Sequence, residues 1–440
     1  MGPIPEAVDT LIHPGWIVPI IPAGDVLTGF SIALKDKKIV AIVPTEETTS
    51  IEAINTHTLP EHVIMPGLIN CHGHAAMSLL RGYADDQALM PWLEKHIWPA
   101  ETAHVDADFV ADGATLAIVE MLRSGTTCFS DMYSFPEITA TVAGDIGIRC
   151  QIALPVIDAP SSWAANADEY IAKGLALLDD AKHKDIVSFV FGPHAPHTLS
   201  DESLNKIATL SAELDLGVHI HLHETAAEVL AAVERNGYRP IDTLHQLGLL
   251  GPKTQCVHMT ALGKQDIALL AETGAHVVHC PASNMKLASG SCPVTALQRA
   301  GVNVALGTDS AASNNSLNLL GEMRTAALVA KLNSGDATAM PAYEALAMAT
   351  INGARAMGID DRVGSLEIGK QADIIALDMN QPETLPLYNP LSQLVYACNA
   401  NQLSHSWIDG KLVVNERVVA GVDLEALTQK IQKWQHRISG

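Results

Sequence analysis

Histidines and carboxylates close a series of short apolar runs in this 440-residue chain. His72 and His74 follow HVIMPGLIN (62–70), and His194 ends VSFVFGPH (187–194). His219, His221, His223 and Glu224 crowd into GVHIHLHE (217–224). His258 lies in TQCVHMT (254–260), His279 in AHVVHCPAS (275–283) and Asp309 in NVALGTDS (303–310). In extended backbone, residues two apart share a face, so the H-x-H pair of His72 and His74 can offer two imidazoles to one metal ion. That pair alone is a weak sign. A third imidazole and a carboxylate at other run ends change the reading, because such a set, with one position left for water, is the donor pattern of a catalytic zinc site. No C-x-x-C pair is present, so a zinc finger has nothing to rest on. At 217–224 parity leaves the third imidazole open among His219, His221 and His223, while Glu224 has the opposite parity and reaches the same side only if the backbone bends near residue 223. Cys71, beside the pair, reads as a small core residue rather than a nucleophile.

Run ends can converge only if the runs lie side by side. With TTCFSDM (126–132) and RCQIALPVI (149–157) the apolar runs number eight, and helix-length segments such as Asp106–Arg123 and Asp201–Leu214 separate most of them. That alternation predicts an α/β fold, a (β/α)8 TIM-type barrel, with its chemistry at the C-terminal ends of the strands. Two further helices are expected around Leu317–Leu332 and Pro341–Met357, and a terminal one at about Leu424–His436. Residues 8–60 read as strands with a polar hairpin at Lys35–Lys38, and strand texture returns at 365–378 and 406–419. Neither flank is large enough to fold alone. They are expected to join as a small β-sandwich domain, residues 1–61 with 362–440 including the C-terminal helix, beside a barrel of residues 62–361.

Composition narrows the function classes. The formal charge is 27 − 49 = −22, with 48% hydrophobic and 17% charged residues, so a large core can form and global disorder is excluded. An acidic chain is a poor partner for nucleic acid or an anionic membrane, since both need a cationic surface. The N-terminal MGPIPEAVDT lacks the basic and apolar regions of a signal peptide, and GWIVPIIPAG (15–24) is too short and proline-rich to span a bilayer. Seven scattered cysteines suit thiols in a reducing compartment. The expectation is a cytoplasmic protein with a small-molecule substrate; the sequence leaves a homo-oligomer open.

PGLINCHGHAAMSLLRG (66–82), WLEKHIWPAE (92–101), FGPHAPHTLS (191–200), HLHET (221–225), HCPASNMKL (279–287) and LGTDSAASNN (306–315) resemble the amidohydrolase superfamily. Within it they are most similar to the 5′-methylthioadenosine/S-adenosylhomocysteine deaminases, over roughly residues 8–420. The resemblance implies a hydrolase acting on C–N bonds in cyclic amidines, with one Zn²⁺ per chain, or iron in its place, held by His72, His74, His221 and Asp309. It makes Glu224, His258 and Asp309 catalytic, and gives Glu101, His194, Glu224 and Asp309 to the substrate, with Glu101 on the ribose hydroxyls. Glu224 would protonate the ring nitrogen and the departing ammonia, Asp309 would take the proton of the attacking water, and His258 would orient it. Many relatives carry a histidine where this chain has Gln255. The fourth run ends Phe191-Gly192-Pro193-His194, without the lysine that bridges a binuclear centre, so one metal is expected. The alternatives are a guanine or s-triazine aminohydrolase with the same ligands, which would leave Glu101 without purpose, and a metal-free scaffold, which would be free to lose ligands kept here. The H-x-E…P-C-x-x-C signature of cytidine-type deaminases is missing. The stretch Cys150–Ala172 holds no Lys or Arg, so a nucleoside ending in a methylthio group is expected to suit the site better than one ending in a carboxylate.

Overall fold

The computed structural model describes residues 5–180 and 185–440; the first four residues of the N-terminal decapeptide lie outside them. Two eight-stranded sheets organise the chain. The outer sheet takes β1 (Ala7–Ile17), β2 (Phe30–Lys35), β3 (Lys38–Pro44) and β4 (Glu52–Pro66) from the N-terminal side. The barrel follows: β5 (Leu68–Asn70), β6 (Thr126–Asp131), β7 (Arg149–Val156), β8 (Val187–Pro193), β9 (Val218–Leu222), β10 (Thr254–His258), β11 (His276–His279) and β12 (Val304–Leu306). The outer sheet is completed by β13 (Ile374–Asp378), β14 (Leu403–Ile408), β15 (Lys411–Asn415) and β16 (Val418–Val419), in the order β16-β15-β14-β13-β4-β1-β2-β3.

Strands β5 to β12 pair in parallel in sequence order. The amides of Cys71 and Asp309 close the ring, donating to Leu306 O at 2.9 Å and His72 O at 3.0 Å. The seam therefore runs between the strand ends that carry the H-x-H pair and Asp309.

The run 62–70, expected as one barrel strand, is divided. His62–Pro66 pairs with β13 in the outer sheet, and the barrel strand starts at Leu68. Gly67 makes the change of sheet possible: a Cβ there would sit 2.0 Å from Thr127 Oγ1, a separation no side chain tolerates. Period-two alternation serves both cores. Ile64, Ile374 and Ala376 face a core shared with Ile12, Ile32, Ile39 and Trp407, whereas Val63, Met65, Ile375 and Leu377 pack into the barrel's helical layer.

Arg149, at the start of β7, bridges the two sheets from below. Its guanidinium donates to Asp373 at 3.0 Å twice and to Asp409 at 2.7 Å, all three buried. The predicted helices form as Ala107–Arg123, capped by Asp106, Asp201–Leu214, capped by Ser200, Leu319–Ser334 and Leu424–Ser439. The helix expected over Pro341–Met357 breaks into Ala342–Met348 and Ile351–Ala356. At the break, Ala349 O accepts the Ile69 amide at 2.9 Å and so serves the first barrel strand.

Candidate active site

His72 and His74 leave β5 on a loop held from below. Met132 N donates to Gly73 O at 3.0 Å, and Ala75 N donates to Asp131 Oδ1 at 2.6 Å. His221 sits inward on β9. Asp309 follows β12 with φ at +61°, a left-handed conformation costly for a non-glycine residue and concentrated at functional sites. His258, which ends β10, has φ at +73°. At His223 φ is +52°, and this is the bend that turns Glu224 to the mouth of the barrel against its parity.

Four imidazoles point one nitrogen inward because the other is engaged outside. The Nδ1 of His74 donates to Met132 O at 2.5 Å, that of His221 to His194 O at 2.7 Å, and that of His258 to Asn284 Oδ1 at 2.9 Å. His72 Nδ1 meets His219 Nε2 at 2.8 Å. Inside, Asp309 Oδ1 lies 3.4 Å from Nε2 of both His72 and His74, and the Nε2 atoms of His72 and His221 are 3.2 Å apart. A tetrahedral ion with Zn–N and Zn–O bonds of about 2.0–2.1 Å requires ligand atoms roughly 3.3 Å from one another. The three separations that link the four expected ligands match that spacing, and imidazole nitrogens with a carboxylate oxygen are a donor set that suits zinc. His258 joins His72 and His221 in a second close group, with its Nε2 3.8 Å from Glu224 Oε2.

Charge in the pocket follows burial and the Asp309 carboxylate. Burial pushes His72 down to about 4 and His194 to about 3, and holds His221 and His219 well below the ordinary imidazole value. Burial also opposes charge on His74, but the hydrogen bond and negative charge of Asp309 outweigh it and raise His74 to about 9. Asp309 is desolvated too, yet the imidazoles of His72 and His74 beside it hold its carboxyl well below the usual range. Burial raises Glu224, with His258 partly offsetting it. Glu101 is likewise raised by burial, against the hydrogen bond from Tyr133.

Glu101 lies in the first turns of Trp98–His104, directly after a wide helical turn at Leu93–Ile97, and accepts from Tyr133 OH at 2.6 Å. The Tyr133 ring is 6.4 Å from that of His74, which puts Glu101 one side chain away from the ligand cluster. His194 stands against His221, ring centroids 4.9 Å apart. The strand-9 alternatives have other duties. His219 is buried behind His72, and His223 Nε2 accepts from Ile241 N at 3.2 Å at the head of the helix Pro240–Gln246. His279 is buried, with neither ring nitrogen partnered among the described residues.

Several supporting residues carry no signal of their own in the sequence reading. Ser283 and Ser313 donate to Asp309 Oδ2 at 2.6 and 3.0 Å, and Ser310 N donates to Oδ1 at 2.8 Å. Asn284 orients His258, Tyr133 holds Glu101, and Gln255 stands behind His219 at 3.0 Å. Ser283, Asn284 and Ser313 fall inside HCPASNMKL and LGTDSAASNN, so the motifs mark the segments without assigning these roles.

Residues 63–413 match the model of the Amidohydrolase family. A 5-methylthioadenosine/S-adenosylhomocysteine deaminase of Teredinibacter turnerae is 48% identical, covering 98% of each chain. A 5′-deoxyadenosine deaminase of Methanosarcina mazei is 41% identical over 97% of each chain. The crystal structure of an adenosine deaminase from Xanthomonas campestris with bound zinc superposes with a TM-score of 0.97 at 46% identity, covering 99% of this chain and 100% of that one. A family model spanning most of the chain, and relatives matched over nearly its whole length, make this protein a member of the amidohydrolase family.

Proposed function

We propose that this protein is a zinc-dependent hydrolase that deaminates an adenosine-type nucleoside, such as 5′-methylthioadenosine, to its inosine-type product and ammonia. One observation carries the reading: a cluster of His72, His74, His221 and Asp309 lies beside Glu224 and His258, with the half-buried Glu101 one side chain further out. The relatives named as deaminases of such nucleosides support it. A zinc ion bound there supplies the Lewis acidity that brings the pKa of a water molecule to about 7.

This chain's residues would do the rest. Asp309, its Oδ2 fixed by Ser283 and Ser313, presents Oδ1 to take the proton of the attacking water. His258, with Nδ1 engaged by Asn284, turns Nε2 to the water and so orients it toward the carbon that bears the exocyclic amine. Addition there interrupts the aromatic ring, so the adjacent ring nitrogen must gain a proton. Glu224 supplies it, and burial suits the task by keeping the carboxyl's proton affinity high. Glu224, now a carboxylate, takes the proton of the added hydroxyl and passes it to the departing amine, and the proton held by Asp309 returns to Glu224, so water and nucleoside yield the oxo product and NH3 with both carboxyl groups restored. Glu101, with one oxygen held by Tyr133, keeps its other oxygen free to accept from the ribose hydroxyls. His194 lines the substrate side of His221.

A guanine or s-triazine aminohydrolase could share the ligand cluster, but it would leave the Glu101 carboxylate with nothing to hold. The absence of lysine from β8 supports a single metal. The seven cysteines are buried free thiols, in keeping with a reducing cytoplasm, and no helix among the described residues is long and apolar enough to cross a membrane. The test is ammonia release by the zinc-loaded protein from 5′-methylthioadenosine, S-adenosylhomocysteine, adenosine, guanine and melamine. Turnover confined to the nucleosides is expected; turnover confined to guanine or melamine would overturn the reading.

A further inference from the structure

A line of buried side chains runs from the barrel floor to the ligand cluster. Gln151 Nε2 donates to Met357 O at 3.3 Å, and Gln255 Nε2 donates to Gln151 Oε1 at 2.7 Å. Gln255 Oε1 lies 3.0 Å from His219 Nδ1, and His219 Nε2 lies 2.8 Å from His72 Nδ1. These four side chains are at most 4% exposed, so no solvent competes for their bonds.

The direction of every bond in this line is fixed from one end. A backbone carbonyl can only accept, so Gln151 must turn its amide nitrogen to Met357 and its oxygen to Gln255. Gln255 must then give its nitrogen to Gln151 and its oxygen to His219. That oxygen requires a hydrogen on His219 Nδ1, which leaves the Nε2 of a neutral His219 as an acceptor. His72 therefore carries its hydrogen on Nδ1, and its Nε2 lone pair faces Asp309 and His221. In His74, His221 and His258 a single bond to a carbonyl or amide oxygen fixes the Nδ1 hydrogen. For His72 alone the nearest partner is another imidazole, which could equally donate or accept.

We infer that Gln255 is a positioning residue for the metal: through His219 it selects the tautomer of His72 that can bind zinc. Without it, His219 is free to place its hydrogen on Nε2, which turns the lone pair of His72 away from the cluster. The inference rests on His72 being a metal ligand, and partners of this kind typically alter metal affinity by 10- to 100-fold.

The experiment uses the full chain, stripped of metal, with zinc affinity measured by competition against a chromogenic chelator. Gln255→Met keeps the volume and removes the acceptor; zinc affinity should fall by at least ~10-fold. Nitrogen-15 spectra of ring-labelled histidines should show His72 protonated at Nδ1 in the metal-free wild type and a tautomer mixture in the variant, with His221 unchanged. A purely structural role would not move that signal. If Gln255→Met does not fold, His219→Phe, which keeps a ring against His72, decides by the same two readouts. A folded variant with wild-type zinc affinity, or with His72 still wholly Nδ1-protonated, overturns the inference. A wild-type protein that binds no zinc overturns the proposed function instead.

Discussion

Removing the Glu101 carboxylate should erase the enzyme's preference for a ribose over a deoxyribose. The residue is half-buried, and Tyr133 engages only its Oε1, so a substrate hydroxyl can give the carboxylate a charge-assisted hydrogen bond. Such a bond is worth about 1.5–3 kcal/mol, or roughly 10- to 150-fold in kcat/KM. Glu101→Ala also leaves Tyr133 OH without its acceptor, and that loss burdens every substrate alike. The informative quantity is therefore the ratio of kcat/KM for adenosine to that for 2′-deoxyadenosine. It should fall by about 10-fold or more in Glu101→Ala, because the deoxy substrate never made the full contact. Tyr133→Phe, which keeps the carboxylate and removes only its neutral partner, should change the ratio by less. The assay is steady-state ammonia release with both nucleosides for the three proteins. If both substrates lose the same factor in Glu101→Ala, the carboxylate is structural and the ribose reading is wrong.

Glu224→Gln should lower kcat by ~10² or more, the usual worth of a proton-transferring group, with zinc content near wild type; loss of metal would show that the strand-9 ligands are misassigned. The kcat/KM for 5′-methylthioadenosine should exceed that for S-adenosylhomocysteine by at least ~10-fold, or ~1.4 kcal/mol, because the segment after β7 offers no free cation to a carboxylate. Lys173, just beyond that segment, is taken by Glu169 at 2.8 Å and by Trp163 O. Equal turnover of the two thio-nucleosides in paired kinetics would refute this. Arg149→Met should cost about 3–5 kcal/mol of stability in denaturant titration, since it strands Asp373 and Asp409 between the two sheets, whereas a neutral result would mean the buried triad is dispensable.

The barrel was legible because it follows local rules, apolar runs of strand length and helix-length spacers, and the candidate ligands stood out as polar residues at the run ends. The choice among His219, His221 and His223 was not, since all three share parity and what separates them is the neighbour across the sheet. Gln255 pairs with His219 in register and Val257 with His221, an arrangement set by strand order rather than by any local pattern. The left-handed turn at His223, which delivers Glu224, was visible only as a requirement of the chemistry. The division at Gly67 was hidden because both sheets ask for the same apolar residues, and the broken helix after Pro341 because its diverted carbonyl serves a strand some 280 residues earlier, Ile69 to Ala349. Ser283, Ser313 and Asn284 were hidden for a related reason: a serine or asparagine acquires a role only from what the fold sets opposite it.

The central claim, a deaminase built on one zinc per chain, is tested most directly by titrating zinc into the metal-stripped protein while following ammonia release from 5′-methylthioadenosine. Activity should be absent at the start, rise in proportion to added zinc, and level off at about one ion per chain, since the two candidate ligand groups share His72. Full activity before any zinc is added, or a plateau reached only at two ions per chain, would contradict it.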